Sequence, residues 1–573
     1  MEKLNWGKRV YVLFLLCATT AISLRAQTFT TLGSFDYADG ELPEAAPVQA
    51  TDGNLYGTTF YGGANGVGTV FKITPSGTLT TLYSFCAQSG CTDGANPEAG
   101  LVQASDGNLY GTAFYGSGAG VVFKITLGGT LTTLYTFCSM SGCTDGANPE
   151  GALVQAADGD LYGTTYYGGA NGDGTVFKIA LSGALTTLHS FDASDGANPG
   201  AGLVQAADGS LYGTTLAGGA NDSCNLFVGY VGCGTVFKIT PSGALTTLYS
   251  FCSQSGCVDG EYPEAGLVQA ADGNLYGTTA YGGANGAGTV LKITPSGVLT
   301  TLHSFDGTDG DHPDGTPVQA TDGNFYATTY LGGANGDGTV FKITPSGLLT
   351  ALYSFCAQSG CGDGAHSFAA PIQDTNGNFY GTTASGGANG DGTVFSLSVG
   401  LGPFVETVPT SGAVGTAVMI LGNNLTGATS VTFNGIATAF TVVSSSEITT
   451  TVPAGATTGI VQVKTPSDTL NSNMPFQVGT LENTPQAQIV NLENTVKALV
   501  SDGTINSALG RGLLAPLNAA LRALDAGHAT EAIRHLDGFI IEVRRLVILG
   551  RLTPAEGNAL IDAANSIITA LGG

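Results

Sequence analysis

A chain of 573 residues exceeds what a single hydrophobic core supports and predicts several domains. With 43% apolar residues in regular alternation it is not a disordered chain, despite 88 glycines. Its formal net charge of -25 disfavours polyanion partners, nucleic acid first among them.

Residues 1–26 read as an export signal. Lys3, Lys8 and Arg9 precede an apolar run from Val10 to Leu24, and Ala26 offers a small residue for cleavage before Gln27. Cys17 follows Leu15-Leu16 rather than a lipoprotein context, so it belongs to the discarded segment. No later segment has the length of a bilayer span. The expected location is periplasmic, secreted or on the cell surface, with no transmembrane segment in the mature chain.

From there a repeat dominates. Leu-Tyr-Gly-Thr-Thr or a close variant returns at Tyr56, Tyr110, Tyr162, Tyr212, Tyr276, Tyr326 and Tyr380, and a fixed long period marks a repeat architecture. One unit, Leu79 to Ile125, holds LTTLYSF, GLVQAS, NLYGTAF and GVVFKI, four short alternating runs rich in Thr, Tyr, Val and Phe. Asp106-Gly107 joins the second and third as a hairpin, and Pro75-Ser76-Gly77 types of turn lead into the next unit. Four antiparallel strands per unit predict a β-propeller blade. The outer-strand sequence starts early, as FTTLGSF near Phe29, and the last unit, ending GTVFSL, lacks its own outer strand. The fold class expected is therefore mainly β, a seven-bladed β-propeller over 27–400 closed by an N-terminal outer strand, which removes exposed edges.

Tight turns fall on one face of such a disc, and the longer connections fall on the other. That second face carries the GGANG loops that begin at Gly62, Gly168, Gly218, Gly282, Gly332 and Gly386, and an insertion from Asp222 to Cys233 containing Phe227 and Tyr230. It also carries the cysteine loops. Cys86/Cys91, Cys138/Cys143, Cys252/Cys257 and Cys356/Cys361 share one spacing, and Cys224 and Cys233 complete the set. Units lacking the pair lack both members, as in SFDASDGANP, so the cysteines read as disulfide partners; the competing zinc reading has poor ligand spacing.

Between Gln27 and Gly400 there are 30 acidic residues, six lysines and no arginine. The lysines, Lys72, Lys124, Lys178, Lys238, Lys292 and Lys342, all occupy one repeat position. Neutral glycans, cationic peptides and divalent cations remain compatible partners. The densest acidic run, Asp306, Asp309, Asp311 and Asp314, lacks calcium-loop spacing and reads as a solvated loop. Catalytic signatures are missing: His189 and His303 replace Tyr at an outer-strand position, His312 and His366 lie singly in loops, and no nucleophile motif or metal spacing occurs. No cofactor or metal is expected. Glu44, Glu98, Glu150 and Glu264 recur near the innermost strand and read as an electrostatic or structural ring, with acid/base work as the alternative. Aromatics after the repeat motif, Phe60, Tyr61, Phe114, Tyr115, Tyr166, Tyr167, Tyr281 and Tyr330, either pack the rim or stack on sugars. Of these Tyr61, Tyr115, Tyr167 and Tyr281, with Phe227 and Tyr230, are the candidate ligand contacts.

The units GTVFKITPSGTLTTLYSF and GLVQASDGNLYGTT resemble the GloVer tandem repeat of bacterial surface proteins. The resemblance covers roughly residues 28 to 399 and implies an exported, surface-associated protein without supplying catalytic residues. No C-terminal LPxTG motif or apolar tail is present. Residues 401–479 continue as strands, and PFVETVPTSGAVGTAVMILGNNL with TVPAGATTGIVQV resembles an IPT/TIG domain, an immunoglobulin-like sandwich. Pro409, Gly412, Gly415, Gly422, Phe433, Gly435, Pro453 and Gly455 carry that match. After a linker at 480–485, residues 486–573 take helical periodicity with stops at Gly503, Gly527 and Gly550, and Thr553 to Glu556 forms a capping box. VKALVSDGTINSALGRGLLAPLNAALRAL resembles the FIMAH domain, a small helical bundle.

Two functions fit. The favoured one is a non-enzymatic binding or adhesion protein that recognises a glycan or protein on the variable propeller face. The alternative is a polysaccharide-degrading hydrolase or lyase using carboxylates at the propeller mouth.

Overall fold

The computed structural model describes residues 27–224, 231–478 and most of 485–571. The export signal, Phe227, Tyr230, the 480–484 linker, Gly503 and Gly527 lie outside the described residues.

Among the described residues, seven four-stranded antiparallel sheets precede residue 400. One unit shows why. Val102–Gln103, Leu109–Ala113, Val121–Ile125 and Leu131–Thr136 pair in chain order. The second of these is buried along its whole length, so its residues must be apolar or able to satisfy their own polar groups. Its glycine is sterically required: a Cβ on Gly111 would stand 2.7 Å from the Phe123 ring. The Tyr beside it, Tyr110, is fully buried, and its hydroxyl donates to the turn residue Asp106 at 2.7 Å.

The seventh sheet combines Ile372–Gln373, Phe379–Thr383 and Thr393–Ser398 with the N-terminal strand Thr28–Ser34. Thr28 opposes Ser398 and Ser34 opposes Thr393. Two sets of hydrogen bonds link each unit to the next and return to their starting point. The Gln of each short strand accepts from a backbone N–H of the preceding unit: Thr51 to Gln103, Ser105 to Gln155, Ala157 to Gln205, Ala207 to Gln269, Ala271 to Gln319, Thr321 to Gln373 and Thr375 to Gln49. A second set runs from threonine hydroxyls to backbone carbonyls, beginning at Thr58 to Ala99 and ending at Thr382 to Ala45.

The lysine position also finds its reason. Lys72, Lys178, Lys238 and Lys292 each reach the hairpin Asp of their own unit at 2.7 to 3.0 Å, over the ring of the buried Tyr. In the last unit the Asp becomes Asn376 and the Lys becomes Ser396, and Asn376 donates to the Tyr380 hydroxyl instead. That altered turn is where the following domain docks. Phe404 N–H donates to the Thr375 carbonyl, Asn423 to the Thr375 hydroxyl, Ser446 to the Thr51 carbonyl and Asn473 to the Gln319 carbonyl. The tight-turn side of units 6, 7 and 1 is thereby covered.

Residues 404–478 form two four-stranded sheets around Val418, Ile420, Phe433, Ile448, Val461 and Phe476. Helices α1 (Pro485–Ser501), α2 (Ser507–Asp525) and α3 (Ala529–Ile548) follow. They bury Val496, Leu513, Leu517, Leu536, Phe539 and Val543 in a common core with Leu560 and Ile567. Gly550, with φ of 63°, ends α3. No described helix is long and apolar enough to cross a membrane.

Candidate functional site

The structure pairs Cys86 with Cys91, Cys138 with Cys143, Cys224 with Cys233, Cys252 with Cys257 and Cys356 with Cys361. Sulfurs of Cys224, Cys233 and Cys252 gather with Glu261 within 4.8 Å, as do Asp337, Cys356 and Cys361. Zinc is held by thiolates, not disulfide sulfurs, so neither group is a metal site while these bonds stand. Each six-residue Cys-to-Cys loop folds over a buried Asp. Asp93, Asp145, Asp259 and Asp363 are fully enclosed and accept from the Tyr hydroxyl of the outer strand and from loop N–H groups. In the shortened loops His189 and His303 take the Tyr role and reach Asp195 and Asp309 at 2.7 Å.

Where each of these loops crosses to the next unit, its backbone pairs with the second residue after the buried strand: Glu41 with Tyr61, Ala95 with Tyr115, Ala147 with Tyr167, Ala197 with Ala217, Glu261 with Tyr281, Asp311 with Leu331 and Ala365 with Ser385. The next loop residue adopts a left-handed backbone in all seven units, at Leu42, Asn96, Asn148, Asn198, Tyr262, His312 and His366, with φ from 53° to 59°. Asn suits that conformation, and Asn96, Asn148 and Asn198 also donate to carbonyls of the neighbouring strand end. Tyr and His there carry strain, and such outliers concentrate at functional sites.

One residue beyond the following Pro, the chain presents Glu44, Glu98, Glu150, Gly200, Glu264, Asp314 and, after Ser367, Phe368. The fields of the carboxyls overlap across units: Glu150 feels Glu98, Glu264 and Glu44, and Asp314 feels Glu264 and Asp311. These carboxyls therefore lie near enough for their charges to interact, at the repeat position expected at the mouth. Burial pushes all five up, Glu44 to about 8 and Glu98 and Glu264 to about 7, with Glu150 and Asp314 held well above the usual carboxylate range. Glu264 keeps the most solvent contact, so its shift is the one water screens most. None of the five forms an ion pair or hydrogen bond with a described residue, and Asp314 Oδ1 is buried without a partner.

These raised groups predict a pH dependence. Their folded values exceed the unfolded ones, so the stability they contribute is complete below about 4.5 and is lost as pH rises towards about 8. Acid-side groups such as Asp272, held near about 2 by hydrogen bonds that outweigh its burial, leave that window untouched. Melting followed from pH 8.5 to 5 is expected to rise by a few degrees, and Glu44→Gln is expected to flatten the rise.

The aromatic candidates separate. Tyr61, Tyr115 and Tyr167 stand on the rim of units 1 to 3, 41 to 51% exposed, each edge-on to its neighbour Phe60, Phe114 or Tyr166. Tyr281 is different. It lies half-buried with its ring 4.3 Å from His312, and Tyr330 lies 4.8 Å from His366 and 4.4 Å from Phe368. Tyr281 and Tyr330 are both raised by burial and by Asp314 beside them. His366 Nδ1 meets Ser385 Oγ at 2.8 Å, and His312 Nδ1 lies 2.8 Å from Asp311 Oδ1 but out of line for a hydrogen bond.

The acidic run thus departs from a solvated loop. Only Asp306 is exposed and capping its own turn; Asp309 pairs with His303, and Asp311 and Asp314 each bury one carboxyl oxygen. His312, His366, Phe368 and Asp314 were not selected from sequence. The available signal was their replacement of the Asn-Pro-Glu triplet, by His-Pro-Asp in one unit and His-Ser-Phe in another.

The Gloeobacter/Verrucomicrobia repeat model matches residues 18–227 and 228–440, the IPT/TIG domain model matches 404–478 and the FIMAH domain model matches 489–569. No curated protein matches the chain. Among solved structures it is similar to a polysaccharide lyase, an ulvan lyase, at 9% identity and a TM-score of 0.40, covering 62% of this chain and 94% of that one. An auxiliary nutrient binding protein from Bacteroides thetaiotaomicron aligns at 12% identity and a TM-score of 0.35, covering 65% and 96%. The plexin A4 extracellular region aligns at 9% identity and a TM-score of 0.32, covering 78% and 62%.

Proposed function

Because the chain belongs to the Gloeobacter/Verrucomicrobia repeat family, with IPT/TIG and FIMAH regions behind the repeats, we propose that it is an exported, non-enzymatic binding protein of the cell surface. In this reading the seven sheets are blades of a β-propeller closed by its N-terminal strand, and a glycan or protein segment binds on the loop-bearing face. Support for the ring comes from the Gln and Thr hydrogen-bond sets, each of which returns to its first unit. Support for export comes from the paired cysteines, which belong to oxidising compartments.

The observation that carries the binding reading is the break in the repeat at units 5 to 7. Tyr281, His312, Asp314, Tyr330, His366 and Phe368 replace or adjoin positions that elsewhere hold consensus residues, and they are half-buried on the face that the IPT/TIG region leaves uncovered. Variation on a rigid scaffold is where recognition resides. A catalytic reading draws on one observation, the carboxyls that keep their protons near neutral pH. Arrays of glycans and of surface-protein peptides decide between them: capture without product release is expected, whereas release abolished by Glu98→Gln or Glu150→Gln would make the protein an enzyme.

A further inference from the structure

The six lysines of the repeats occupy one position, and the four with resolved ion pairs reach the hairpin Asp of their own unit on the tight-turn side. The loop aspartates are satisfied by Tyr, His and backbone donors. The five mouth carboxyls stand apart from this pattern, since the protein supplies none of them with a counter-charge or a donor. Asp314 Oδ1 is enclosed with nothing to accept from. An enclosed carboxyl oxygen without a donor is costly, and the other four, which water reaches in part, are left without a protein counter-charge.

We propose that the mouth binds a basic polypeptide segment, its Lys or Arg side chains meeting the carboxyls while one cationic head lies over the half-buried ring pair Tyr330 and Phe368. This rests on the reading of the loop-bearing face as a binding surface and names its ligand. A bare metal ion fits less well: among the described residues, no three mouth carboxyls bring their oxygens within 4.8 Å of one another, so the carboxyls are spread out rather than gathered into a cage. A neutral sugar offers hydroxyl donors to the carboxyls but no counter-charge. An extended chain of cations answers several at once, and guanidinium groups also stack on aromatic faces. The surrounding field, 30 acidic residues against six lysines from Gln27 to Gly400, favours the approach of such a segment.

The test uses the full chain and a fluorescent arginine octapeptide, with charge-matched variants. At pH 8.5, where both groups give up their protons, Glu44→Gln with Glu264→Gln removes two mouth charges beside Tyr281 and Tyr330. Asp192→Asn with Asp306→Asn removes two charges from exposed loop caps and preserves their turn-capping oxygens. One peptide per chain is expected, weakened about tenfold by the mouth pair and less than about twofold by the loop pair. Tyr330→Ala is expected to weaken it several-fold. Equal weakening by both charge pairs means a diffuse field and overturns the proposal, as does absence of binding. If a neutral glycan from the arrays binds the same face while the octapeptide does not, the basic-ligand inference falls and the binding function stands; if nothing binds, both fall. Melting curves of each variant separate loss of binding from loss of fold.

Discussion

Deleting residues 27–35 is expected to abolish cooperative folding of the repeats and to drive self-association. That segment supplies the outer strand of the seventh sheet, some 360 residues away along the chain, where Thr30 opposes Ser396 and Thr31 opposes Phe395. Without it the edge of Thr393–Ser398 presents unpaired backbone groups, a template for another chain. The side chains matter as much. Phe29 stacks on Tyr353 at 3.8 Å and on Phe395 at 5.2 Å, and Phe35 is fully buried against Phe71. Removing one buried Phe costs about 3–5 kcal/mol, a large share of the whole stability of a typical domain. The truncated chain should therefore melt at least about 10 °C lower, if it folds, and elute as oligomers in size-exclusion chromatography. A peptide of sequence TFTTLGSF added in trans should restore part of the lost stability. A truncated chain that stays monomeric with unchanged melting contradicts the closing role of the strand.

The second large effect is expected at a loop rather than in the core. Asp145 is fully buried and accepts from the Tyr135 hydroxyl at 2.8 Å, the Ser139 N–H at 3.0 Å, the Ser139 hydroxyl at 2.8 Å and the Met140 N–H at 3.3 Å. Burial works against its charge, but the Ser139 and Tyr135 donors win and hold the carboxyl below its usual range. Asp145→Ala strands those donors without a partner and is expected to cost about 3 kcal/mol in denaturant unfolding, with Asp145→Asn costing about half as much. The Cys138–Cys143 bond does not compensate, because it constrains a loop of few residues and leaves the orphaned groups where they are. Equal stability of Asp145→Ala and wild type would mean that water replaces the carboxylate.

Much of the repeat was legible in the sequence because its signals are local. Alternation marks the strands, Asp-Gly and Pro-Ser-Gly mark the turns, and the presence of FTTLGSF before the first full unit marks the missing strand of the last. The lysine position was visible but its purpose was not, since Lys72 and Asp52 are twenty residues apart and meet only after the strands pair. The mouth was harder still. An acidic run such as Asp306 to Asp314 carries no local sign that Asp309 will turn to a His and that Asp314 will bury a carboxyl oxygen. His312 and His366 read as isolated because nothing in their neighbours reveals that they share a left-handed backbone position with Asn96 and Asn148. Aligning the seven units against one another, rather than scanning for known motifs, exposes both as departures from Asn-Pro-Glu.

The most direct test of recognition at the non-repeating sector is a titration of the ligand that the arrays identify against two pairs of variants. Tyr330→Ala and Phe368→Ala alter the sector where the repeat breaks, and Tyr61→Ala and Tyr115→Ala alter the equally aromatic but more exposed rim. Binding is predicted to fall about tenfold or more in the first pair and to stay within about twofold in the second. Loss confined to the rim pair, or equal in all four, contradicts recognition by units 5 to 7.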